Sequence, residues 1–288
     1  MSQLFVYGDY TQEALNAQYN QGTLVPDIAP YMEYWTRAGT EAYKTLTCKL
    51  DVSYGSEKVE LLDIFPAGIK NSPIHVHIHG GAWRQLGKEH VCYPAPHFVS
   101  AGVNFIPLNF GLAHEYSITK MVNQIRSGIK WVWQNANSFD GNRDQIFISG
   151  ASSGAHLAAN LLSGDWQSDF GLPENVIKGA VLASGPYDLD PVRLSARNDY
   201  LKLSQEEADQ NNPLKHIPQG GPEIAICWGD VELDEFQRQG QAYADAWLSA
   251  GNLCQTIILK GLNHFDVTSE FGRADSELVE AALGQISR

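Results

Sequence analysis

Ile146-Phe147-Ile148-Ser149-Gly150-Ala151-Ser152-Ser153-Gly154-Ala155-His156-Leu157 passes from a short apolar run, through a serine bracketed by glycines, into a helical pattern that continues to Leu161. An apolar strand that ends in Gly-x-Ser-x-Gly and leads straight into a helix must turn very sharply. Small residues two before and two after Ser152 permit that turn, which holds the Ser152 hydroxyl above the end of a sheet. The helix N-terminus then lies beneath any negative charge that develops there. Ser149 and Ser153 are nearby hydroxyls, but only Ser152 is centred between the glycines, and it is the candidate nucleophile.

The alternation of strand and helix extends in both directions. Apolar runs Ile74–His79, Val103–Leu108, Ile146–Ser149, Ile177–Ala183, Ile224–Trp228 and Thr256–Leu259 are separated by helical patterns over His90–Ala101, Ile118–Asn135, Ser153–Leu162, Asp234–Ala250 and a last one from Asp275. Continuous apolar strands with helices between them specify a mostly parallel α/β sheet with helices on both faces. Thr47–Val52 and Val59–Ile64 show period two around Tyr54-Gly55-Ser56, so an antiparallel hairpin opens the sheet. Residues 1–45, rich in Tyr, Gln and Asn, read as an N-terminal flap rather than core, with loose helical patterns over Thr11–Gln18 and Ile28–Ala38. Residues 188–218, irregular and polar, read as an inserted lid. No repeat, low-complexity tract or linker divides the 288 residues, and one domain over 1–288 is expected.

Composition removes whole classes of function. The chain has 20 basic and 33 acidic residues, a net charge of −13, and no Lys/Arg cluster to track a phosphate backbone, so nucleic acid and anionic membranes are excluded as partners. The longest stretches without charge, Val91–His114 and Gln145–Gly164, are broken by prolines or by glycine and serine, and neither is a membrane helix. The start MSQLFVYGDYTQEAL has neither the basic nor the apolar part of a signal peptide, which points to the cytoplasm. Cys48, Cys92, Cys227 and Cys254 show no CxxC spacing and read as free thiols, not disulfides or a metal site.

His79-Gly80-Gly81-Ala82-Trp83 ends an apolar strand upstream of the serine. Glycines there let backbone rather than Cβ approach a substrate, so the N–H groups of Gly81 and Ala82, with that of Ser153, are the candidate oxyanion donors. His75, His77 and His79 alternate and share one face of a strand, but no fourth ligand follows at a recognisable spacing. They read as structural histidines, and no metal or cofactor is expected.

In a serine site of this kind the acid and then the histidine follow the nucleophile along the chain. His156 sits one helical turn beyond Ser152, and His216 precedes every credible acid. His264, in Gly261-Leu262-Asn263-His264-Phe265 just after the last strand, is the candidate base. Two acids follow Gly229. Glu232 has the Gly-x-x-acid spacing and is preferred, while Asp230 is the alternative; Asp234 and Glu235 suit a helix's first turn. Trp83, Phe110, Tyr187 and Phe265 lie near these motifs as candidate pocket walls, with core packing the alternative for each.

Together these residues resemble the arylformamidase-like, or kynurenine formamidase-like, branch of the α/β-hydrolases, close to the hormone-sensitive-lipase group of esterases. HGGAW (79–83), GASSGAHLAANLL (150–162), ASGPYDLDPVRLS (183–195), ELDEF (232–236) with Arg238 and Gln239, and GLNHFDV (261–267) carry the likeness. AQYNQGTLVPD (17–27) and Tyr34-Trp35 extend it over nearly the whole chain. Ser153 departs from it, since relatives usually have Ala there. The resemblance implies the α/β-hydrolase fold, Glu232 as the acid, and cofactor-free hydrolysis of a short-chain ester or aryl formamide. A strict N-formylkynurenine formamidase, an interfacial lipase and a binding protein without chemistry are the rival readings; an acidic surface argues against the lipase and an intact Ser-Glu-His set against the binding protein. The expected partner is a small-molecule substrate, and a homodimer is left open.

Overall fold

The period-two segments pair as their pattern requires: β1 (Lys49–Ser53) lies antiparallel to β2 (Leu61–Ile64), with Val52 opposite Leu62. In this computed structural model, which describes residues 4–288, they open an eight-stranded sheet. The other strands are β3 (Ser72–Ile78), β4 (Asn104–Leu108), β5 (Gly141–Ala151), β6 (Ile177–Ala183), β7 (Glu223–Gly229) and β8 (Cys254–Leu259). Their order is β1-β2-β4-β3-β5-β6-β7-β8; β2 meets β4 antiparallel and every later pair is parallel. The chain has the α/β-hydrolase fold.

The strands that read as continuous apolar runs are covered on both faces, except the edge strand β8, where Ile258 is exposed. β4 is buried throughout, and only one residue each of β3, β6 and β7 is not. Helix Ile118–Asn135 is capped by the Ser117 hydroxyl and turns Ile118, Met121, Val122, Ile125, Ile129 and Val132 onto the sheet, the i, i+3, i+4 spacing of an amphipathic helix. Each such side chain contributes about 1.5–3 kcal/mol when fully buried. On the opposite face, helix Glu277–Ile286 and the helix Ala29–Thr45 enclose a second core with Phe98, Phe105 and Phe271.

The differences from the sequence reading have physical causes. The pattern over His90–Ala101 splits into a turn at Lys88–His90 and a helix Ala95–Ser100, because Pro94 and Pro96 permit a helix start but not a helix interior. Residues 188–218 are not irregular. They hold helices Leu189–Leu194, Asn198–Leu201 and Gln205–Gln210, each too short to show a period in sequence; Asp188 and Ser204 cap the first and third. The N-terminal segment, of which residues 1–3 lie outside the described residues, is likewise more than a flap. Its helix Gln12–Gln18 sends Leu15 into one core and Ala29–Thr45 sends Trp35 and Ala42 into the other.

Candidate active site

Ser152 stands between β5 and helix Ser153–Leu162 with φ 55° and ψ −127°. A non-glycine residue so placed costs on the order of 1–3 kcal/mol, and neighbouring structure must hold it. Part of the hold is the Ser152 N–H, which donates to the Ala183 carbonyl of β6 at 2.8 Å. Gly154 supplies the rest, since a Cβ there would overlap the Ile78 and His79 carbonyl oxygens and push the helix off β3.

Three side chains from distant segments meet at this turn. His264 Nε2 is 2.9 Å from Ser152 Oγ, and His264 Nδ1 is 2.7 Å from Glu232 Oε2. Glu232 is buried, and its other oxygen accepts the Ser184 hydroxyl at 2.5 Å and the Gly229 N–H at 2.9 Å. His264 is the first residue of a helix, His264–Glu270, rather than a loop residue; Asn263 caps that helix through the Phe265 and Asp266 N–H groups. The N-terminal helix grips it as well, Tyr31 donating to Asp266 and Trp35 to Ser269, each at 2.9 Å. Asp230 stands apart. It is exposed and accepts the Gly261 N–H at 2.6 Å, so it ties down the chain ahead of His264 and does not reach the imidazole.

The His79–Trp83 turn crosses in front of Ser152. Gly81 has φ 102°, where a Cβ would strike the Gln85 carbonyl; Ala82 and Trp83 follow at 53° and 60°. Two consecutive non-glycine residues in the left-handed region need support, and Ser153 gives it: its hydroxyl accepts the Trp83 N–H at 3.1 Å. The Ser153 hydroxyl therefore stitches the turn to the nucleophile helix. Among the described residues, no acceptor takes the N–H of Gly81, Ala82 or Ser153. A cavity of about 920 Å³ opens at this point, lined by Ser152, His264, Gly80, Gly81 and Ala82.

Of the four aromatics proposed as walls, only Phe265 lines the cavity. Trp83 is buried and donates its indole N–H to His156 Nδ1 at 3.2 Å. Phe110 stacks on His79 with ring centres 4.1 Å apart, and Tyr187 stacks on Tyr243 at 4.5 Å. All three point into the core on the far side of their turns. The walls come instead from Tyr19, Met32 and Trp35 of the N-terminal segment and from Arg84, Arg197 and Tyr200.

Residues 62–233, more than half of the chain, match the BD-FAE family. The chain belongs to the BD-FAE family of α/β-hydrolases. Kynurenine formamidase of Salmo salar is 30% identical to this BD-FAE protein over 261 residues, 88% of this chain and 87% of its own length. Esterase LipQ of Mycobacterium tuberculosis is 30% identical over 226 residues, covering 70% of this chain and 53% of its own. Among solved structures, a Silicibacter sp. protein described as a candidate thioesterase superposes with a TM-score of 0.81 at 24% identity, over 93% of this chain and 98% of that one, a likeness that speaks for the fold. This BD-FAE protein thus lies in the kynurenine formamidase-like branch and is a hydrolase of the ester and amide class.

Ser184 is the site residue that the motifs did not single out. It directly follows β6, has φ 53° and aims its hydroxyl at Glu232. A polar residue at the C-terminal end of a central parallel strand was the available signal. Among the described residues, no helix of this BD-FAE protein is long and apolar enough to cross a membrane.

Proposed function

We propose that the protein cleaves a short-chain carboxylic ester or an aryl formamide through an acyl-enzyme on Ser152. The observation that carries this reading is the unbroken series Ser152 Oγ, His264 Nε2, His264 Nδ1, Glu232 Oε2, at 2.9 and 2.7 Å. Ser152 attacks the carbonyl carbon while His264 Nε2 takes its proton. Glu232 accepts the Nδ1–H, fixes the tautomer and offsets the imidazolium charge. The N–H groups of Gly81, Ala82 and Ser153 stabilise the oxyanion. Collapse expels the alcohol or arylamine, protonated by His264, and water repeats the sequence to release the acid. Relatives named as a formamidase and an esterase, each 30% identical, support both leaving groups.

The rival acids are separable. Glu232→Gln keeps the volume and loses the charge that holds the tautomer, so kcat should fall on the order of a hundredfold or more. Asp230→Asn keeps an acceptor for the Gly261 N–H and should cost only a few-fold. The opposite ranking in steady-state kinetics transfers the role to Asp230.

Size selection follows from the enclosure. As part of this proposal, the N-terminal segment and residues 188–218 roof the site, with Tyr19, Trp35 and Tyr200 as walls. An acyl chain must share the roofed space with an aryl leaving group, and each methylene left unburied forgoes about 0.8 kcal/mol. Across p-nitrophenyl esters from C2 to C10, kcat/KM is expected to peak at the shortest and fall steeply by octanoyl; a maximum at C8 or beyond rejects the short-chain reading. N-formylkynurenine assayed alongside decides between the leaving groups, and activity on it alone narrows the protein to a strict formamidase. Four free thiols suit a reducing compartment, and a cytoplasmic setting belongs to the same proposal.

A further inference from the structure

His75 and His77 share one face of β3 and His79 follows its last residue; the proposed hydrolysis uses none of their side chains. His75 Nε2 and His77 Nδ1 each lie 2.6 Å from the buried Ser149 Oγ. A hydroxyl has one proton, so Ser149 donates to one ring and accepts from the other. The second nitrogen of His75 decides the direction. His75 Nδ1 is sealed in the core without a partner. A proton on it would be an orphaned buried N–H, whereas a bare lone pair there is the smaller penalty. His75 therefore carries its proton on Nε2 and donates to Ser149, and Ser149 donates to His77 Nδ1. That leaves the proton of His77 on Nε2.

His77 is only 1% exposed, yet it lines the cavity that holds Ser152, and its Nε2 has no partner among the described residues. His75 Nδ1 and His79 Nε2, by contrast, are sealed from it. Burial pushes the His77 imidazole down to about 3, so it meets the cavity as a neutral donor and not as a cation for a carboxylate. Ser149, its partner, precedes Ser152 by three residues of sequence, roughly 10 Å along an extended chain. That span is an upper limit, so the His77 Nε2–H meets a substrate held at Ser152 from another wall of the same cavity.

We propose that His77 is a specificity residue whose Nε2–H, aimed by the His75–Ser149 relay, binds a neutral hydrogen-bond acceptor, a carbonyl or ether oxygen, at the inner end of the substrate. The kinetic part of the test rests on the hydrolytic reading, and the spectroscopic part does not. Ring-acetylated phenyl acetates are compared with the matching ethyl compounds in all three ring positions. The acetyl-to-ethyl ratio of kcat/KM at the preferred position is expected to drop at least tenfold in His77→Phe and to return in His77→Gln, whose amide keeps an N–H donor. An unchanged ratio in folded His77→Phe overturns the proposal. If His77→Phe does not fold, Ser149→Ala, which frees the tautomer, should lower the ratio at least threefold, and no change there overturns it equally. In Ser152→Ala protein labelled with 15N-histidine, acetophenone should shift the protonated Nε2 of His77 and ethylbenzene should not. A proton found on Nδ1 of His77 rejects the relay. Absence of turnover on every ester and formamide would reject the acyl-enzyme while the nitrogen spectrum still decides His77.

Discussion

Ser152→Ala is expected to lower kcat/KM on any ester or formamide the protein cleaves by roughly 10⁴- to 10⁶-fold, about 5.5–8 kcal/mol of transition-state stabilisation. The size of the effect follows from what the hydroxyl does, which is to form the bond that the proposed mechanism turns on. The fold should be nearly indifferent, because Ser152 Oγ bonds only to His264 among the described residues and the methyl of alanine fits the same turn. Thermal unfolding within a few degrees of the parent, beside lost activity, separates chemistry from folding. A fluorophosphonate probe should label Ser152 alone. The Ser149 hydroxyl is held between two imidazoles and the Ser153 hydroxyl accepts the Trp83 N–H, so neither is presented to a reagent. Stoichiometric labelling of either one would reject the assignment.

Strand identity and the serine turn were legible because they depend on local pattern. Ile177–Ala183 in sequence is β6 in the structure, residue for residue, since six of its seven residues are buried and apolar or glycine and only Lys178 interrupts the run. The choice between Glu232 and Asp230 was not legible locally. Both follow the same strand, and what separates them in space is the pair of donors, Ser184 and the Gly229 N–H, that converge on one of them. The pocket walls failed for a related reason. Nearness in sequence to a motif does not say which side of a turn a ring faces, so Trp83 and Phe110 went to the core. Tyr19, Trp35 and Tyr200 come to the cavity from segments far in sequence from the serine, oxyanion and histidine motifs. Long-range packing, which no period records, decides such positions.

The same buried histidines that surround the site make acid the protein's weak direction. His75, His77, His79 and His156 are fully enclosed, and burial holds His77 down to about 3 and His79 and His156 to about 4, with His75 also well below its ordinary value. In the unfolded chain each titrates near 6.5. From about a unit above that value down to about 4 the unfolded chain binds protons that the folded one refuses, so stability falls as pH falls, and well above 6.5 these groups contribute no slope. At pH 5 His77, His79 and His156 each remove on the order of 2 kcal/mol, about 6 together, with His75 acting in the same direction, comparable with the whole stability of an ordinary domain. Urea midpoints should accordingly be nearly flat from pH 8 to 7 and drop steeply from 6.5 to 5, with unfolding at pH 5 taking up about three protons or more. His156→Gln preserves an acceptor for the Trp83 indole and a donor for the Asn211 carbonyl while removing one titrating site, so it should reduce the slope at pH 5 by about one proton. A stability that stays level from pH 7 to 5 would mean that these imidazoles protonate in place, and the neutral relay proposed for His77 would fail with it.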